Sequence, residues 1–207
     1  MRRADGGEAR QAWGLPGLLG LPEMHEHQAS DEILALRTVG GLDNYARWTA
    51  WFFKKHVRGR VLEAGAGLGR LTAHLRADEL VVTDADESKL RAVAPLLGPR
   101  ARTVRWDVLE EPPAELGRGY DAVVSSNLLE HLDDDAGAAF RMASLLRPGG
   151  RFAAFVPAHP GLYNPMDRAL GHRRRYTRGA VLRLLKAAGL RPVVVRELNL
   201  IGGVAWF

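Results

Sequence analysis

Short apolar runs closed by glycine or a polar pair alternate along this chain with longer stretches whose apolar residues recur every three or four positions. The runs are "GRVLEAG", "ELVVTDAD", "ARTVRWDV", "YDAVVSSN", "RFAAFVP" and "RPVVVREL", and they predict six strands buried on both faces. Helical spacing marks the segments between them, "LGRLTAHLRA", "ESKLRAVAPLLG", "DDDAGAAFRMASLL" and "RGAVLRLLKAAG". Asp86 or Ser88 can cap the second of these, acids open the third where the helix dipole favours them, and Thr177 and Gly189 bound the fourth. "RPGG" reads as a turn before strand five. Two further helices, "SDEILALRTV" and "DNYARWTAWFFKKHV", precede the first strand. Such alternation argues for an α/β fold, a mostly parallel sheet with helices on both faces. Residues 1–57 then form an N-terminal extension with helices over the site, and 58–207 form the core.

Composition narrows this picture. At 207 residues and 46% hydrophobic, the chain suits one core. The absence of cysteine excludes disulfides, thiolate metal sites and a thiol nucleophile. No apolar run is long enough to span a bilayer, and the basic "MRRADGGEAR" followed by the broken "WGLPGLLGLP" makes a poor signal peptide, so a cytoplasmic protein is expected. The net charge of +5 is carried largely by arginines late in the chain. They suit an anionic partner: a small phosphate or carboxylate, an acidic lipid head group or nucleic acid.

In a sheet of this kind the first strand-to-helix turn is the expected ligand site. Here it reads "RVLEAGAGLGRLTAHL", with Gly65, Gly67 and Gly69 at alternate positions. Glycines let the backbone bend sharply and approach a ligand closely. A dinucleotide fingerprint needs glycine where Arg70 stands, and the Gly-Lys-Ser/Thr of a P-loop is absent. Both phosphate cradles fit poorly.

The E-x-G-x-G-x-G pattern resembles the first motif of class I S-adenosylmethionine-dependent methyltransferases, a family with a Rossmann-like doubly wound fold. "YDAVVSSNLLEHLDD" and "LLRPGG" resemble its fourth-strand motif and the turn before strand five, in the same order. The resemblance implies S-adenosyl-L-methionine as cofactor, held by Glu63, Gly65, Ala66, Gly67 and Gly69, with Ala85 and Asn127 alongside. Asp84, 19 residues after Gly65, would accept both ribose hydroxyls, while Asp107 would receive the adenine amino group beside the Val108 amide.

The later segment is similar to the bacterial small-molecule (type 11/12) branch, in which a "GH-x-RRYT" element follows strand five. Here that element is Gly171, His172, Arg174, Arg175, Tyr176 and Thr177. It would face the acceptor, with Arg174, Arg175 and His159 binding it, the arginines through an acidic group or else lying solvated or paired with nearby acids. His131, His172 and Tyr176 are the candidate catalytic groups. A related quinone branch holds a cation through E-x-x-E-H; here its first position is Asn127, so Asn127, Glu130 and His131 make a weaker cation site, and the His25/His27 pair has no further partners, so no metal is assigned. The family's final antiparallel strand has no counterpart before "NLIGGVAWF". The resemblance therefore leaves that edge to be completed by a partner, a second copy or further residues.

The expected activity is methyl transfer to oxygen, nitrogen or carbon of a small-molecule, glycan-precursor or lipid-like acceptor. RNA is the alternative acceptor, opposed by the absence of a D/N-P-P-Y/F motif and of cysteine. A non-catalytic cofactor-binding subunit is the alternative of another kind.

Overall fold

Five of the six apolar runs become strands of one sheet in the computed structural model of the chain, which describes residues 41–198. They are β1 (Arg60–Ala64), β2 (Glu79–Asp84), β3 (Ala101–Arg105), β4 (Tyr120–Ser126) and β5 (Leu146–Phe155). Every ladder is parallel, and the order β3-β2-β1-β4-β5 reverses direction between β1 and β4. The carboxyl ends of the two central strands therefore flank a crevice, where loops leave in opposite directions. Register brings Ala64 level with Thr83 on one side and Ser125 on the other.

Alternate residues of the central strands enter two separate cores. Leu62, Val81 and Val123 pack under Ala138 and Met142 of α3 (Asp135–Ser144) and Leu184 of α5 (Arg178–Ala187). Val61, Val82 and Val124 point the other way, against Ala50 and Phe53 of α1 (Gly41–Phe53) and Leu90 and Val93 of α2 (Glu87–Val93). Burial on both faces explains why these strands read as continuous apolar runs, and each fully buried Val or Leu contributes about 1.5–3 kcal/mol. The caps follow the pattern of the sequence: Asp86 accepts the Ser88 amide at 2.8 Å and Thr177 the Ala180 amide at 3.1 Å. A short α4 (Pro165–Ala169) opens on a capping box between Asn164 and Asp167.

Three expectations change. "LGRLTAHLRA" yields only a 3-10 turn, Thr72–His74, set between the left-handed Gly65, Gly67 and Gly69, at φ 56° to 72°, and the extended Leu75 at ψ 137°. "RPGG" lies inside β5, with an irregular register between Tyr120 and Ala122. "RPVVVREL" forms no strand; Val193 and Val194 are 60% and 52% exposed, and β5 has no outer partner among the described residues. An extended run without a ladder leaves its amides to water. The predicted helix "SDEILALRTV", most of the N-terminal extension and the closing "LIGGVAWF" lie outside the described residues. Among the described residues no helix is long and apolar enough to cross a membrane.

Candidate active site

The three glycines of the first loop do different work. A Cβ on Gly65 would stand 2.7 Å from the Leu128 side chain, and one on Gly69 would stand 2.9 Å from Val93, so a side chain at either position would have to displace a packed neighbour as well as adopt left-handed backbone. At Gly67, with φ 56°, a Cβ would meet nothing within 4 Å. That stretch of bare backbone borders open space at the carboxyl end of β1.

Asp84 ends β2 and fastens this loop. Its Oδ2 accepts the Gly67 amide at 2.8 Å and its Oδ1 accepts the Asp86 amide at 2.9 Å. Each carboxylate oxygen retains a further lone pair for a ligand hydroxyl. Glu63 turns beneath the loop, where its Oε2 accepts the Thr72 hydroxyl at 2.6 Å. Burial pushes its carboxyl up to about 7 against the opposing Thr72 bond, with the Asp84 charge adding to the rise. Thus Glu63 acts from below as a brace, while Ala66 is half-buried and Ala85 exposed. Beyond β3, Asp107 is half-buried and accepts the Leu109 amide at 2.9 Å; the Val108 side chain is buried in the core.

The carboxyl ends of β4 and β5 form the other wall. Asn127, at φ 49°, and His159, at φ 61°, are the two non-glycine residues with left-handed backbone among those described. Such strain is held only where its surroundings impose it. Asn127 donates its amide to the Phe155 carbonyl at 2.9 Å, and its side chain is hydrogen-bonded to Tyr45 of α1. Burial pushes the Tyr45 phenol up to about 12, opposed by the Asn127 bond and helped by the Glu130 charge. The Tyr45 and Trp48 rings meet Phe155 edge-on, at 5.7 and 6.3 Å between centroids.

The "GH-x-RRYT" element closes onto the segment after β4. His172 Nδ1 lies 2.8 Å from Asp167 Oδ1, His131 Nδ1 lies 3.2 Å from the Gly171 carbonyl, and the two imidazole rings meet edge-on at 4.8 Å. Arg175 Nε reaches both Asp167 oxygens at 2.9 Å, and its Nη2 reaches Oδ2 at 2.8 Å. Burial alone would raise the Asp167 carboxyl, but the Arg175, His172 and Asn164 donors outweigh it and hold the group below its usual range. Arg174 donates to the Leu132 and Asp133 carbonyls and pairs with Asp135 at 3.2 Å. Tyr176 is buried and donates to Asp135 Oδ2 at 2.7 Å; burial and that carboxylate raise its phenol. His159, half-exposed, stands 3.7 Å from Glu197.

The structure therefore brings His131 and His172 together and keeps His159 separate. Arg174, Arg175 and Tyr176 are committed to partners inside the chain. Asp167, Tyr45 and Arg173 join the wall without having been marked by spacing; the N-x-x-D pattern from Asn164 to Asp167 is the one trace of them in the sequence. Glu130, one of the three residues of the weaker cation site after β4, is fully buried, and burial pushes its carboxyl up to about 8, with a backbone bond opposing and Asp167 adding to the rise.

A parallel sheet with a glycine loop at its switch point, an acid fastening that loop and a second wall at β4 and β5 defines a Rossmann-like methyltransferase core. Residues 62–152 match the family described as "Methyltransferase domain". "Uncharacterized methyltransferase Rv0089" of Mycobacterium tuberculosis is 35% identical over 113 residues, 50% of this chain and 53% of that one. A Mycolicibacterium smegmatis protein described as a "Probable S-adenosylmethionine-dependent methyltransferase" is 33% identical over 175 residues, 74% of this chain and 63% of that one. The chain thus spans about half the length of the first curated relatives it matches. Among solved structures, the DhpI complex with S-adenosylhomocysteine shares the fold, with TM-score 0.59 and 20% identity over 78% of this chain and 83% of that one. Residues 62–152 thus carry a methyltransferase domain of the type 11/12 superfamily, and the curated relatives that match around it are described as methyltransferases.

Proposed function

We propose that this chain binds S-adenosylmethionine and transfers its methyl group to oxygen, nitrogen or carbon of a small-molecule, glycan-precursor or lipid-like acceptor. One observation carries the reading: the bare backbone at Gly67 borders open space next to the Asp84 carboxylate, in a cradle that a Cβ would begin to fill. Gly65 to Gly69 hold the amino-acid end of the cofactor, Asp84 its ribose and Asp107 its adenine. When bound, the cofactor supplies an electrophilic sulfonium methyl. The chain's own task is then to hold an acceptor atom in line about 3 Å away and to exclude water. His131, His159 and His172 line that acceptor side, with Asn127 alongside the cofactor. A base is needed only where the acceptor atom carries a proton of high pKa, and the imidazoles of this wall are the groups placed for it.

Calorimetry with S-adenosylhomocysteine tests the binding half, and transfer of labelled methyl to demethylated small metabolites and to structured RNA tests the rest. Stoichiometric binding and label in the small-molecule fraction are the expected results. Folded protein that binds no cofactor would end this reading, and label in RNA alone would move it to nucleic acid.

A further inference from the structure

The outer face of α1 carries a pattern that methyl transfer leaves unused. Ala46, Thr49, Ala50 and Phe53 are buried, and Ala50 and Phe53 pack on the sheet with Val61, Val82 and Val124. Away from that contact, Arg47, Trp51 and Lys54 are exposed, at the steps of four and three residues that keep side chains on one side of a helix. The Lys54 amide still donates to the Ala50 carbonyl at 3.0 Å and the Val57 amide to that of Phe53 at 2.9 Å, so helical geometry runs on past Phe53. Exposed Lys55 and Arg58, four and seven residues after Trp51, extend the same face.

Two features of this face ask for a partner. Trp51 is 60% exposed, a large apolar ring left in water. Around it the charge is of one sign: no Asp or Glu occurs from residue 44 to residue 62, and Arg47 is bonded to the neutral Asn44 side chain. Among the described residues Lys54, Lys55 and Arg58 have no ion pair, whereas Arg173, Arg174 and Arg175 each have an aspartate within the chain. An indole flanked by long cationic side chains suits the boundary between acyl chains and anionic head groups, where the ring lies at head-group depth and the cations reach phosphate. We infer that this face of α1 docks the protein on the surface of bilayers containing anionic lipid, with Trp51 as the apolar anchor and Arg47, Lys54, Lys55 and Arg58 as the electrostatic one. A single-stranded nucleic acid would need successive rings for successive bases. Here Phe52 meets Trp51 and Trp48 edge-on, at 4.9 and 4.8 Å, and both Phe52 and Trp48 are half-buried, which leaves one ring at the surface of the helix. The same aromatic row continues from Trp48 to Tyr45 and Phe155, so the docking face adjoins the wall at the end of β5. Docking itself does not depend on the methyltransferase reading.

The test is co-sedimentation of the full-length protein, without cofactor, with phosphatidylcholine vesicles that contain or lack phosphatidylglycerol. Binding is expected with the anionic vesicles alone, with release at high salt. Trp51→Ala and the double change Lys54→Glu/Lys55→Glu should each weaken it by about 10-fold or more. Arg183→Glu/Lys186→Glu, the same change of charge on exposed positions of α5, should weaken it by less than about 3-fold. Circular dichroism melting identifies any variant that has not folded, with Trp51→Gln as the reserve. No binding to anionic vesicles would overturn the proposal, as would equal losses in the α1 and α5 pairs, which would reduce the effect to net charge. Binding of a single-stranded RNA oligomer through Trp51 in preference to vesicles would overturn it as well. Since vesicle binding is read without cofactor or turnover, failure to bind S-adenosylhomocysteine would count against the methyltransferase reading and leave this one standing.

Discussion

The Asp84 carboxylate accepts the Gly67 amide at 2.8 Å, so the acid at the end of β2 shapes the β1 loop before any ligand arrives. Asp84→Ala should therefore loosen the loop and remove the ribose acceptor together. Cofactor affinity is expected to fall by about 1.5–3 kcal/mol, the range of charge-assisted hydrogen bonds. Asp86→Ala should cost only the α2 cap, about 1 kcal/mol of stability. Calorimetry of both variants with S-adenosylhomocysteine separates them; equal losses would mean that the cofactor carboxylate lies elsewhere.

Gly65 and Gly67 are expected to fail in different ways. Gly67→Val has no protein atom to strike, so stability should drop by about 1–2 kcal/mol from the left-handed backbone while cofactor binding is lost. Gly65→Ala adds a clash with Leu128 and should cost more stability than that. Melting with and without ligand measures both effects. An unchanged ligand-induced shift in Gly67→Val would remove the pocket from this loop.

Arg175 and Asp167 form a largely buried pair, with side chains 17% and 2% exposed. Arg175→Gln should leave the Asp167 charge under-compensated and destabilise the chain by about 3–5 kcal/mol. Arg174→Gln, more exposed, should cost about 1 kcal/mol. Denaturant melts give the comparison. A raised acceptor KM with an unchanged melt in either variant would return that arginine to acceptor binding.

Glu63 makes stability depend on pH in a defined direction. Its folded carboxyl titrates near 7 against an ordinary 4.5, so the folded state holds the proton more tightly. The resulting stabilisation is complete below the unfolded value and is lost as pH rises through about 7, a change on the order of 3 kcal/mol. Glu63→Gln keeps an acceptor for Thr72 and should flatten this part of the curve. Chemical denaturation at a series of pH values is the check, and an unaltered slope would show that Glu63 does not titrate in this range.

The sheet was legible because β1, β2 and β4 are buried on both faces and run apolar without interruption. The loop was legible because Gly65, Gly67 and Gly69 stand at alternate positions behind a strand. What pattern could not supply were relations across distance. The spacing of Leu68, Leu71 and Leu75 read as a helix, but the chain turns extended at Leu75 after one 3-10 turn, which spacing does not mark. For Arg174 and Arg175 acceptor binding and pairing with nearby acids stood as alternatives, since nothing local marks Asp135 or Asp167 as their partners. The union of His131 with His172 depends on how the chain returns after β5.

The 3-10 turn at Thr72–His74 has a consequence for which molecules the loop can accept. A full helix starting there would aim a stack of free amides and a positive dipole end at the crevice, the arrangement that draws phosphate. With one short turn in its place, that attraction is largely missing. A nucleotide diphosphate would give up the hydration of its phosphates for little return, so binding at this loop has to draw on hydroxyls and other uncharged or cationic groups instead of on phosphate.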